Sequence, residues 1–174
     1  MISGPCMQAD SSGYIAILGF ADYCSEENIK MVEEVTMGVA QLGYGICVGN
    51  TSGTFQCALK KMTEYQGKSL VILERGLPRP TTCYDQVLVV ESADLKHQLI
   101  AKLCVGAIVI GGAQGTAHLV KCILDLAKPI AVIDGSGSMV NRLTYPVIKM
   151  VNNAEAACHH VVDKRQGLFY GERI

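Results

Sequence analysis

Tryptophan is absent from this sequence, and charge is scarce: lysine, arginine, aspartate and glutamate together supply 18% of the residues. The 15 basic and 16 acidic side chains leave a formal net charge of -1, with no basic run to attract a phosphate backbone. Nucleic acid is therefore not expected as a partner. No apolar run approaches the ~20 residues a membrane-spanning helix needs, so no membrane span is expected. The opening MISGPCMQADSSGY has neither the basic segment nor the apolar core of a secretory leader, and a cytoplasmic location is expected. Eight cysteines are present, Cys6, Cys24, Cys47, Cys57, Cys83, Cys104, Cys122 and Cys158, but no two form a CxxC pair. Zinc-ribbon and thioredoxin-like sites lack their spacing, and most of these thiols read as small buried hydrophobes in a reducing compartment. There is no GxxxxGK[ST] loop and no GxSxG elbow. The first strand-to-helix turn, Gly19-Phe20-Ala21-Asp22, lacks GxGxxG, which excludes nicotinamide-linked hydride transfer. No acid pair suited to glycosidase work can be picked out.

Apolar residues make up 49% of the chain, mean hydropathy is +0.27, and there are 18 glycines. With 174 residues, one domain can bury a proper core. The composition suits a core-heavy α/β domain, or a protomer that also buries a face against a copy of itself. Strands are predicted at Tyr14 to Gly19, Tyr44 to Val48, Ser69 to Leu73, Gln86 to Val90, Ala107 to Ile110, Pro129 to Asp134 and Val147 to Val151. Helices are predicted between them: one capped by Ser25, one over about Thr54 to Tyr65, one capped by Ser92 and ending near Cys104. Two more follow, over about Gly115 to Ala127 and Ala154 to Val162. Strands alternating with helices at this spacing specify a three-layer, doubly wound parallel sheet of Rossmann-like type in a single domain. Its bounds read as 14–163, after an N-terminal extension (1–13) and before a C-terminal tail (164–174).

The stretch AIVIGGAQGTAHLV, Ala107 to Val120, carries the most information. A continuous apolar run, as in a strand covered on both faces, enters a glycine-rich turn and then opens a helix. Gly111, Gly112 and Gly115 let backbone approach a ligand closely, and Thr116 adds a hydroxyl. The free N–H groups and positive dipole end of a helix start suit a phosphate. A second turn, Gly49-Asn50-Thr51-Ser52-Gly53, sits between another strand and helix. In open parallel sheets ligands lie beyond the carboxyl ends of the strands, which puts Gly19, Gly49 to Gly53, Gly111 to Thr116 (with Ala113 and Gln114) and Gly135 to Ser138 on one edge. A small phosphorylated ligand is expected there, nucleotide-like in kind.

Other polar residues admit two roles each. His118, in the first turn after Thr116, suits a ligand contact or acid/base work, and equally a helix surface or a dimer contact. Asp22 and Asp134 suit ribose hydroxyls or the capping of their own turns. Cys158-His159-His160 resembles a metal cluster only superficially, since neighbours on a helix diverge by ~100°. No metal site is expected.

The arrangement resembles the SLOG superfamily, the Rossmann-like group that includes cytokinin-activating phosphoribohydrolases once mislabelled lysine decarboxylases. The resemblance covers about Tyr14 to Val162. It rests on the first strand ending in Gly19, on GYGICVGNTSG, on GGAQGT, which is similar to PGGxGT, and on KPIAVIDGSG followed by VNNAEAACHHV. It is nearest to a branch of small single-domain members that includes molybdenum-cofactor carrier proteins. The hydrolase pattern PGGxGTxxE places its catalytic glutamate at Leu119, and the family's helix arginine falls at Lys96. Lysine keeps the charge and loses the bidentate grip. The resemblance therefore implies a phosphate cradle without the glycoside-cleaving half. That makes the expected function binding of a phosphorylated nucleotide or a pterin-type cofactor, molybdenum cofactor among them, as carrier or sensor. Cleavage of a nucleoside 5'-monophosphate is the alternative, and would need a carboxylate such as Glu91 or Asp94. Leu119, Ile123 and Leu124 beside the site point to a homodimer or larger homo-oligomer, as in relatives.

Overall fold

Apolar strand segments alternating with amphipathic helices give the order β1 (Tyr14–Gly19), α1 (Glu26–Gln41), β2 (Gly45–Val48), α2 (Thr54–Glu64), β3 (Ser69–Glu74), β4 (Gln86–Val90), α3 (Ala93–Leu103), β5 (Cys104–Ile110), α4 (Gln114–Asp125), β6 (Ile130–Ile133), β7 (Ile148–Val151) and α5 (Ala154–Tyr170). The computed structural model describes residues 13–22, 24–112, 114–137, 140 and 148–170. Cys6, Ala113, Ser138 and Val147 lie outside the described residues, as do the side chains of Gln114 and 165–170. Every strand pairs in parallel, in the order β4-β3-β2-β1-β5-β6-β7.

Alternate strand residues feed two cores. Ile15, Ile17, Val48, Ile108 and Ile110 pack with Val32 and Val39 of α1, Leu59 of α2 and Val161 of α5. Ala16, Leu18, Ala107, Val109 and Val132 pack with Ile100 of α3 and Val120 and Ile123 of α4. This is the three-layer arrangement that the residue pattern predicts, in a single domain. Ala107 to Ile110 are fully buried, as a strand covered on both faces requires. Ser25 and Ser92 cap α1 and α3, their hydroxyls accepting from the Asn28 and Leu95 N–H groups.

The structure departs from the sequence reading in four places. First, β5 begins at Cys104, earlier than expected, because α3 passes into it with no intervening loop. The Lys128 ammonium makes that possible by donating to the carbonyls of Ala101 (2.6 Å), Lys102 (2.9 Å) and Cys104 (2.6 Å), which the helix end leaves open. Second, α5 continues past Val162 to Tyr170. Third, only Cys47, Cys104 and Cys158 among the described cysteines are buried; Cys24, Cys57 and Cys122 are half-buried and Cys83 is exposed. They sit on loops and on helix flanks, where the layers leave gaps. Burial pushes the Cys158 thiol up to about 11. Fourth, Leu119 and Ile123 are consumed by the chain's own core and are not available as an association face.

The sheet reverses its winding between β1 and β5. The chain leaves β1 into α1 on one face and leaves β5 into α4 on the other, so the two connections part and open a crevice above the strand ends. Among the described residues no helix is long and apolar enough to cross a membrane.

Candidate functional site

A cleft of about 240 Å³ occupies that crevice. Its floor is the carboxyl half of β1, Ala16 to Gly19, with Cys47 of β2. Phe20 to Asp22 form one wall, Gly49 and Asn50 a second, Lys96, His97 and Ile100 of α3 a third, and Gly115, Thr116 and Leu119 of α4 the fourth. Apolar side chains dominate the lining, with a few polar groups at the rim, a common composition for small-molecule sites.

The glycines do three different jobs. Gly115 lies in the first turn of α4 with an ordinary φ, and a Cβ placed on it would meet nothing within 4 Å. Its bare backbone borders the cleft. Gly111 (φ +75°) and Gly112 (φ +115°) are held in conformations that disfavour side chains. A Cβ at Gly111 would strike the Phe20 ring at 2.3 Å, and one at Gly112 the Thr116 hydroxyl at 2.4 Å. Gly19 and Gly49 are close-packing positions: a Cβ at Gly19 would press on Thr54 at 2.5 Å, and one at Gly49 on Ile100 at 2.9 Å. Thr54 is itself fully buried and locks the wall, its hydroxyl accepting from Phe20 N–H (3.1 Å) while its own N–H donates to the Phe20 carbonyl.

The second glycine turn serves mostly itself. Asn50 borders the cleft, but its Oδ1 accepts from the Thr51 N–H at 2.7 Å. The Thr51 hydroxyl donates to the Pro78 carbonyl, and the Ser52 hydroxyl to the Ala21 carbonyl at 2.6 Å. Gly53 (φ +56°) packs against the Phe20 and Ala21 carbonyls. Thr51, Ser52, Gly53, Gly111 and Gly112 thus stand behind the lining rather than in it.

Two helix starts at the cleft, those of α2 and α4, carry no acidic residue in the first turn, and α4 is the one that presents glycine backbone to it. The first turns of α1 and α3 contain acidic residues (Glu26 and Glu27; Asp94), which offset the positive dipole end. The first turn of α4 contains none, and it is Gly115 and Thr116 of that turn that border the cleft. The Thr116 hydroxyl donates to the Gly19 carbonyl at 3.4 Å, tying α4 to the end of β1. Lys96 enters from α3, its side chain only 12% exposed, with the Glu74 carboxylate 3.9 Å from its ammonium.

His118 does not line the cleft. It reaches from α4 across to His97 of α3, Nδ1 to Nδ1 at 3.1 Å with the rings nearly perpendicular, and its Nδ1 lies 3.8 Å from Asp94 Oδ1. His97, which sequence reasoning missed, does line the cleft. The available signal was its spacing from Asp94, i and i+3 on one helix face. Burial, then the Lys96 ammonium and the His118 ring, push the His97 imidazole below its ordinary value, so it is neutral at pH 7. Asp22 lines the cleft. Asp134 does not, and its carboxylate accepts from the Gly135 N–H at 2.9 Å, capping its own turn. Glu91 is exposed and paired with Arg75. Cys158 turns into the core toward the Val35 carbonyl while His159 is exposed, as divergence on a helix demands.

Ser136 is a second residue the sequence did not single out. It is buried, its hydroxyl accepting from the Gly111 N–H (2.9 Å) and donating to the Ile133 carbonyl (2.6 Å). Its own carbonyl accepts from buried Asn28 Nδ2 at 3.2 Å. This knot holds the β5 turn to β6 and α1. Ser136→Ala would strand the Gly111 N–H, with an expected cost of about 1–3 kcal/mol in denaturant unfolding.

The sheet order and the cleft over its switch point define a single-domain Rossmann-like α/β protein. The chain belongs to the SLOG cluster4 family, which it matches over residues 12–166. Among solved structures it is similar to the molybdenum cofactor carrier protein from Chlamydomonas reinhardtii, at 19% identity over 89% of this chain and 98% of that one, with a TM-score of 0.76. The molybdenum cofactor binding protein from Rippkaea orientalis superposes with a TM-score of 0.74 at 15% identity, covering 90% and 97% of the two chains. DNA processing protein A from Helicobacter pylori, a single-stranded DNA binder, gives a TM-score of 0.65 at 13% identity over 94% and 83%. At such identities the likeness shows the shared fold. No curated protein matches the sequence.

Proposed function

We propose that this chain binds a phosphorylated nucleotide or pterin-type cofactor and holds it intact, as a carrier or sensor. The observation that carries the reading is the juxtaposition of the acid-free first turn of α4, at Gly115 and Thr116, with the Lys96 ammonium across one cleft. Phosphate would rest on the α4 amides, opposite Gly49 and Asn50, with Lys96 as a point charge. The apolar floor, with Phe20 and Phe55, suits the flat ring of a base or pterin, and Asp22 suits ribose hydroxyls. The folds shared with molybdenum cofactor carrier and binding proteins support a cofactor as the ligand.

Chemistry on the ligand has less support. Leu119 presents a leucine to the cleft where the hydrolase pattern carries its glutamate, and Asp22 is the carboxylate among the described lining residues. Glu91 and Asp94 stand outside the lining. Self-association, as a homodimer or larger, would use apolar side chains other than Leu119 and Ile123, such as exposed Leu88 of β4 and Leu95 and Leu103 of α3. A monomeric mass at micromolar concentration removes that part of the proposal.

The test is a thermal-shift screen with nucleoside monophosphates, ribose 5-phosphate, ADP-ribose, dinucleotides and a molybdopterin source. A ligand at about 100 times its dissociation constant stabilises the fold by about 2.7 kcal/mol, a shift of several degrees. A selective shift with the ligand recovered intact is the expected result. Free base released during incubation would establish the hydrolase instead, and no shift with any phosphorylated compound would overturn the cradle.

A further inference from the structure

Beside the cleft, α3 brings Asp94 and His97 against His118 of α4, which lies 21 residues beyond His97 in the chain. One donor atom from each lies within 4.8 Å of the other two. We infer that this trio is a binding site for a divalent transition ion of the zinc type, a site separate from the phosphate cradle.

The geometry is close to a coordination sphere. Two imidazole nitrogens at Zn–N lengths of ~2.0–2.1 Å stand roughly 3.3 Å apart at a tetrahedral centre. Here the two Nδ1 atoms are 3.1 Å apart. The Asp94 Oδ1 is 3.8 Å from the His118 Nδ1, and the donor atoms of the trio span up to 4.8 Å, so the carboxylate must swing inward to complete the sphere. Its side chain is 78% exposed and free to rotate inward. Two imidazole nitrogens and one carboxylate favour zinc, copper or nickel over calcium or magnesium, which prefer oxygen. Without an ion, one ring must donate to the other, so the facing nitrogens share one proton. An ion would use both Nδ1 lone pairs, the proton between them moving to the Nε2 of its own ring. Three protein ligands leave a fourth position for water or for an atom of a molecule in the neighbouring cleft, which His97 also borders. Because the ligands come from two helices, an ion there would clamp α3 to α4 at the cleft mouth.

The experiment uses the full chain, freed of metal with a chelator and titrated with Zn²⁺ calorimetrically in the absence of any organic ligand. One equivalent should bind and should raise the melting temperature. His97→Ala and His118→Ala should each weaken binding by about tenfold or more, and Asp94→Asn by less. Asp94 and His118 are exposed and His97 is half-buried on the rim of the cleft, so the variants should fold, and circular dichroism verifies that. Co²⁺ in place of Zn²⁺ should give tetrahedral d–d bands without a thiolate charge-transfer band. The inference falls if Zn²⁺ does not bind, if the His97→Ala/His118→Ala double variant binds as tightly as the parent, or if Co²⁺ shows thiolate ligation from the cysteines. Since no organic ligand is present, none of these outcomes bears on the phosphate cradle.

Discussion

Gly115→Val is expected to fold as the parent does and to lose its phosphorylated ligand. The position is helical, its φ is ordinary, and nothing within 4 Å would meet the new Cβ. Valine is favoured over glycine in a helix by a few tenths of a kcal/mol, so stability should hold or rise slightly. The isopropyl group would instead stand beside the α4 amides, in the space assigned to phosphate. A melting curve like the parent's, together with loss of the ligand-induced shift, is the expected pair of results. An unchanged ligand shift in the folded variant would exclude the cradle. Backbone strain plays no part, because the φ at Gly115 is ordinary, and the steric argument stands alone.

Gly111→Ala should do the reverse, damaging the fold first. Alanine at φ +75° costs roughly 1–2 kcal/mol. Its Cβ would also sit 2.3 Å from the Phe20 ring and 3.1 Å from the Ser136 carbonyl, and overpacking of that kind costs about 1–3 kcal/mol. A total near 3 kcal/mol corresponds to a fall in melting temperature of roughly 6–12 °C for a chain of this length. Thermal unfolding of the ligand-free protein reads it directly. A variant within a degree of the parent would show that Phe20 is free to move aside, and that the turn does not hold the cleft wall.

The contrast between these glycines shows where sequence reading stopped. GGAQGT announces a turn that only missing side chains permit, and it lies where the motif places it, at the end of β5. The string does not say which glycine is required by backbone conformation, which by a neighbour and which by a ligand. That depends on Phe20, Ser136 and Thr116, which the fold packs against it. The same holds for polar residues. Asn50, Thr51 and Ser52 look alike as phosphate donors, yet only Asn50 borders the cleft, while the two hydroxyls bond to carbonyls of neighbouring loops. His118 was legible as a functional candidate from its place after Thr116. His97 was not, because its significance comes from α3 and α4 lying side by side.

The sequence by itself determined the alternation of strands and helices, the parallel sheet, the caps at Ser25 and Ser92, and the edge on which the glycine turns gather. Those features follow from local periodicity, capping chemistry and the covering of both sheet faces, all of which act over a few neighbouring residues. Only the tertiary structure decided which turn residues reach the cleft, that Lys96 enters it, that Leu119 and Ile123 belong to the core, and that Ser136 clamps the β5 turn. Each of these depends on which segments far apart in the chain come to lie side by side. Packing of the three layers sets that, and local periodicity does not encode it.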